Sequence, residues 1–254
     1  MQGLSKRRWT TVVAAVAVTA GLVTTQGCSA ARHLLDQVTS ANSGPSSTAR
    51  PAQTGSARQA AAGKGIATAR AQLSELAVKG RAPMTGYDRA QFGPAWTDDV
   101  SVKDGRNGCD TRNDRLRESL KSVVIKPNTH GCVVLSGVLH DPYTGKTIHF
   151  VRGRGTSMAI QLDHRVALGN SWVTGAQQLS AEQRRNLAND PINLVPVDGP
   201  TNESKSDGDA ATWLPPNKGY RCIYVADQIA VKAKYHLWVT PPEKAAMTRV
   251  LNDC

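Results

Sequence analysis

The sequence predicts an α+β fold, on three observations. Branched residues concentrate in short runs between Val123 and Val151, and two further apolar runs end at His164 and Val197. Capping boxes, Ser180 with Gln183 and Thr240 with Glu243, open two helices.

In chain order, Lys6, Arg7 and Arg8 precede an apolar run from about Thr11 to Val23, the pattern of a secretory signal peptide over residues 1–28. The run is too short and alanine-rich to stay in a membrane. "TTQGC" ends on Gly27-Cys28, as a bacterial lipoprotein signal does, although Thr25 sits where an aliphatic residue is usual. On that reading Cys28 is acylated and tethers the chain to the outer face of the membrane; otherwise the protein is simply secreted. Residues 29–63 are rich in Ser, Thr, Ala, Gly, Pro and Gln, which predicts a flexible linker. The folded domain is expected over 64–254. It opens with a helix whose one face carries Ile66, Ala69, Leu73, Leu76 and Ala77, with Gly80 just past its end.

"CVVLSGVLH" and "TIHFVRG" read as strands flanking the turn "DPYTGK". "SMAIQLDH" alternates Met158, Ile160 and Leu162 before ending on Asp163 and His164. A capped helix follows, then the strand "PINLVPV", then "DGPTNESK", where Pro200 suits the first turn of a short helix. The last segment, from Thr240, places Met247, Val250, Leu251 and Cys254 on one face, turning Cys254 inward.

Charge and cysteines bound the chemistry. The net charge is +11, and the first 28 residues contribute only three of the excess cations, so the basic surface belongs to the rest of the chain. Such a surface favours polyanions, or serves solubility alone. Five cysteines stand at 28, 109, 132, 222 and 254, and no CxxC occurs, which argues against structural zinc. With Cys28 lipidated or removed, four remain for two disulfides in an exported chain. Of three pairings, Cys109–Cys132 and Cys222–Cys254 join neighbours in sequence and are favoured.

Adjacent strand residues face opposite sides, so Asp163 and His164 are expected to serve different partners. If the two strands flanking the excursion form a ribbon with the short helix across it, Asp163, His164 and Asn202 meet at one end. A carboxylate and an amide oxygen are hard ligands suited to Mg²⁺ or Mn²⁺, and a neutral imidazole beside them suits a general base for water.

The run "DHRVAL…NLVPVDGPTNESK" resembles the HNH endonuclease motif, the ββα-metal or His-Me finger. "NGCDTRNDRL", "DPYTGK", "WLPP" and "YRCIYV" are similar to secreted actinobacterial proteins of the domain-of-unknown-function 1524 group, with the GmrSD-type C-terminal HNH domain, over about Gly86 to Cys254. The resemblance implies a finger over about residues 157–210. It further implies Asp163 and Asn202 as ligands of one divalent cation, His164 as the base and Asn193 as the residue fixing the histidine-bearing loop. Lys205 would meet phosphate, with Arg165 as a second such contact. At Asn202 many relatives carry His, and an amide is a weaker ligand.

The expected function is a secreted, metal-dependent endonuclease of low sequence specificity acting on DNA, or on RNA. The alternative is a non-catalytic polyanion-binding envelope protein on the same fold, and a third reading takes a teichoic-acid-like wall polymer as the phosphodiester. Trp172 and Trp213 are expected to be packing anchors, and Arg112 a structural ion-pair partner.

Overall fold

The computed structural model describes residues 55–254. The signal segment, Cys28 and residues 29–54 of the expected linker lie outside them.

Helix α1 spans Gly55–Glu75, so the part of the expected linker from residue 55 onward is helical, and the helix ends before Leu76 and Ala77 rather than at Gly80. Val78 then pairs in parallel with Val239. Ala69, Leu73 and Leu76 bury against two C-terminal helices, α6 (Arg221–Lys234) and α7 (Pro241–Asn252), together with Tyr224, Ile229 and Met247. The α7 capping box is present: Glu243 N–H donates to Thr240 Oγ1, and Glu243 Oε2 accepts from Thr240 N–H.

A meander of β1 (Lys121–Ile125), β2 (Val134–His140) and β3 (Thr147–Val151) forms an antiparallel three-stranded sheet. Its inner face packs Val134, Leu139 and Phe150 on Leu116 of α2 (Thr111–Ser119). Helix α2 starts where Asp110 accepts from Asn113 N–H. Its sequence, "TRNDRLRES", is nearly all polar, which hid it from apolar periodicity.

The finger follows. Strands β4 (Ile160–His164) and β5 (Leu194–Asp198) pair antiparallel in a two-stranded ribbon, with Asp163 opposite Val195 and His164 opposite Leu194. Pro196 is tolerated in β5 because each strand of a two-stranded ribbon has a free edge. Between them run α3 (Leu168–Val173) and α4 (Ala181–Asn189), the latter opened by the Ser180–Gln183 box. Helix α5 (Gly199–Lys205) leaves β5 directly, capped by Asp198. A Cβ at Gly199 would stand 2.2 Å from the Met158 carbonyl oxygen, so only glycine lets α5 lie this close to the approach to β4. The ribbon and helix confirm the ββα arrangement within an α+β domain.

Both expected disulfides form, Cys109–Cys132 and Cys222–Cys254. Cys254 itself is exposed rather than turned inward. Trp172 packs with Tyr87 and Phe92, and Trp213 with Tyr143 and Tyr224. Among the described residues Arg112 has no ion-pair partner; it donates to the Ser157 and Ile160 carbonyls, tying α2 to the finger. Among the described residues no helix is long and apolar enough to cross a membrane.

Candidate active site

Asp163, His164 and Asn202 line one cleft of about 350 Å³, together with Tyr87, Arg89 and Asp207. Register gives the first two different partners. As neighbours at the end of β4 they point to opposite faces and take separate partners.

His164 is 7% exposed. Its Nε2 lies 2.9 Å from the Ala188 carbonyl oxygen at the end of α4. A carbonyl only accepts, so Nε2 carries the proton and Nδ1 keeps the lone pair. The Trp96 indole stacks on the ring, centroids 5.6 Å apart and planes inclined by 11°. Burial pushes the imidazole pKa down to about 3; the Ala188 bond opposes this, and the charges of Arg89 and Lys205 add to it. The ring is therefore neutral at pH 7.

The loop carrying it is held by Asn193. Val166 N–H donates to Asn193 Oδ1 at 2.9 Å, and Asn193 Nδ2 reaches the carbonyls of Leu187 and Val166. Completely buried, this one amide joins the start of β5 to both ends of the excursion.

Asp163 is 4% exposed and its two oxygens have different donors. Lys205 Nζ donates to Oδ1 at 2.7 Å and to the His164 carbonyl at 2.7 Å, while the Tyr143 hydroxyl donates to Oδ2. Burial first, then Asp163, raise the Tyr143 pKa well above its ordinary value, keeping it a donor. A carboxylate offers about four lone-pair sites, so room for a cation remains on Asp163.

Asn202 is oriented by a relay. Gln161 Nε2 donates to Glu203 Oε1 at 2.7 Å, which leaves Gln161 Oε1 to accept from Asn202 Nδ2 at 2.8 Å. Asn202 Oδ1 then has no donor among the described residues and is available as a ligand. Asp163 and Asn202 thus make a hard oxygen set that fits a small divalent cation whose other positions are filled by water and phosphate. With one carboxylate in it, the set is leaner than the common sites: among the described residues no group of three or more His, Cys, Asp or Glu could hold a metal.

The two residues expected to meet phosphate are engaged within the protein. Lys205 has no exposed side chain, because the last turn of α5 lies on the end of β4 and aims the ammonium inward at Asp163. Arg165 pairs with Asp227 at 3.0 Å and donates to the carbonyls of Ile192 and Leu194, bracing β5 against α6. Neither faces the cleft. Arg89 does, with no ion pair or hydrogen bond to its side chain among the described residues. It opens the 3-10 turn Arg89–Phe92, and the segment from there to Trp96 is too short and too broken by Gly93 and Pro94 to give a periodic signal. Tyr143 was visible only as part of the turn "DPYTGK".

The family model for "GmrSD restriction endonucleases, C-terminal domain" matches residues 110–250. The chain belongs to this family. As a GmrSD C-terminal domain it is related to the HNH nucleases, and the matched span contains the whole ββα finger. The loop bearing Arg89 and Trp96 lies outside that span. A protein of the fungus Arthroderma benhamiae, described as an "Uncharacterized secreted protein", is 34% identical over 189 residues, covering 74% of this chain and 85% of that protein. No solved structure matches significantly.

Proposed function

We propose that this GmrSD C-terminal domain hydrolyses nucleic-acid phosphodiester bonds with low sequence preference, using one Mg²⁺ or Mn²⁺. The observation that carries this reading is the Ala188 bond to His164, which leaves an unprotonated Nδ1 on a residue sharing its cleft with Asp163 and Asn202. His164 takes the proton from the attacking water. A divalent cation bound by Asp163 and Asn202 would acidify water and stabilise charge on the phosphoryl and leaving oxygens, which suits so weak a base. Asn193 keeps the imidazole in place, and Lys205 fixes the Asp163 carboxylate rather than touching substrate.

Export over the 1–28 signal, a linker and a nuclease domain complete the reading. Two disulfides suit an oxidising compartment, and the fungal relative is described as secreted. Cys28 would anchor the chain if acylated, which a mass measurement of the mature N-terminus decides. The net charge of +11 suits DNA or RNA.

The rival reading, a polyanion-binding envelope protein, draws on the engagement of both Asp163 oxygens. The test is incubation with plasmid DNA, RNA and a wall teichoic acid, with Mg²⁺ or Mn²⁺, beside EDTA and His164→Ala. Nuclease activity predicts cutting of DNA or RNA that EDTA and the alanine variant each abolish. Binding without cutting under any metal supports the envelope protein instead, and cutting of the wall polymer alone reassigns the substrate.

A further inference from the structure

A second cavity, of about 250 Å³, adjoins the active-site cleft and shares residues with it. Phe92, Pro94, Ala95, Leu168 and Trp96 give it mostly apolar sides, and His164 and Arg89 belong to both cavities. It is smaller than a drug-sized pocket and suits a single ring system.

One feature marks it as more than a packing gap. Trp96 adopts a left-handed backbone (φ 56°), a strained conformation for so bulky a residue, and in it the indole lies along the catalytic ring.

We infer that this cavity receives the nucleobase adjacent to the bond that is cut, with the Trp96 indole beside its ring and Arg89 holding the phosphate that joins it to the active site. A flat, largely apolar ring attached to a phosphate is the ligand these walls match, and shared possession of Arg89 and His164 sets base and reacting phosphate side by side. A base enters such a cavity only when out of its stack, so the preferred substrate is single-stranded or unpaired nucleic acid. The inference rests on the nuclease reading for the identity of the reacting bond, but the base site can be tested without catalysis.

The experiment is calorimetric titration of the full chain in EDTA with adenosine 5′-monophosphate, cytidine 5′-monophosphate and ribose 5-phosphate. At least one nucleotide is expected to bind about tenfold more tightly than the sugar phosphate, as stacking of one base provides. Trp96→Leu should narrow that gap, whereas Arg89→Ala should weaken nucleotide and sugar phosphate alike. Far-ultraviolet circular dichroism checks that each variant folds. Equal affinity for the nucleotides and ribose 5-phosphate, or no nucleotide binding by the folded wild type, overturns the base site. In a parallel cleavage series, single strands should be cut faster than duplex, with cutting lost beside a single abasic position. Cutting indifferent to both overturns the base site while leaving the nuclease reading intact. Base-selective binding with no cutting under any metal does the reverse.

Discussion

Lys205 Nζ stands 2.7 Å from Asp163 Oδ1, their side chains 0% and 5% exposed, across 42 residues of sequence. A pair so deep adds little net stability yet costs much to break, because removing one partner leaves the other charge in a poor solvent. Lys205→Ala should destabilise the domain by about 3–5 kcal/mol. At about 2–4 °C per kcal/mol for a domain this size, thermal unfolding falls by on the order of 10 °C. Replacing both partners, Lys205→Met with Asp163→Leu, should recover much of that loss. An unchanged midpoint with a raised KM for nucleic acid would restore Lys205 to the role of phosphate contact.

The relay from Glu203 through Gln161 decides which atom Asn202 offers. Gln161→Leu frees the amide to turn its nitrogen toward the cleft, where a cation is repelled. The half-saturating metal concentration should then rise roughly tenfold, the scale of losses when a ligand's supporting bond is removed. In an Asn202→Asp background the Gln161→Leu change should have little effect, since a carboxylate has no wrong end. Equal losses in both backgrounds would show a merely structural Gln161.

The depressed His164 pKa has a signed consequence for stability. The unfolded imidazole titrates near 6.5 and the folded one near 3, so between these values the unfolded chain binds the extra proton. Stability from this group is whole above pH 6.5 and declines as pH falls toward 3, at about 1.4 kcal/mol per unit. Urea titrations of wild type and His164→Gln between pH 7 and 4 should diverge in slope, the wild type falling faster. Parallel curves would contradict a buried neutral ring.

Each disulfide closes a sequence separation of 23 or 32 residues and should contribute about 3 kcal/mol through the unfolded chain. Cys222→Ser with Cys254→Ser removes the clasp between the start of α6 and the end of α7. A lower urea midpoint for that variant, and no further drop on adding reductant beyond loss of Cys109–Cys132, is the expected result.

Local chemistry made much of this molecule legible. Alternation in "SMAIQLDH", the apolar run "PINLVPV", Pro200 in a first turn and two capping boxes act over a few residues, so the ribbon, its crossing helix and the helices after Ser180 and Thr240 could be read directly. The four cysteines left once Cys28 is set aside, with their proximity in sequence, gave the disulfide pairing. Helix α2 escaped because it is almost wholly polar, and α1 begins earlier than expected because its first turns carry alanine and glycine without an apolar stripe. Which way Lys205 and Arg165 point, which amide atom Asn202 presents, and the ring lying on His164 were decided only in the folded chain. Each depends on a partner 41 to 68 residues away. Propensity sets the course of the backbone, whereas a charged side chain settles wherever burial and the nearest opposite charge jointly allow, and only the packed tertiary structure brings those together.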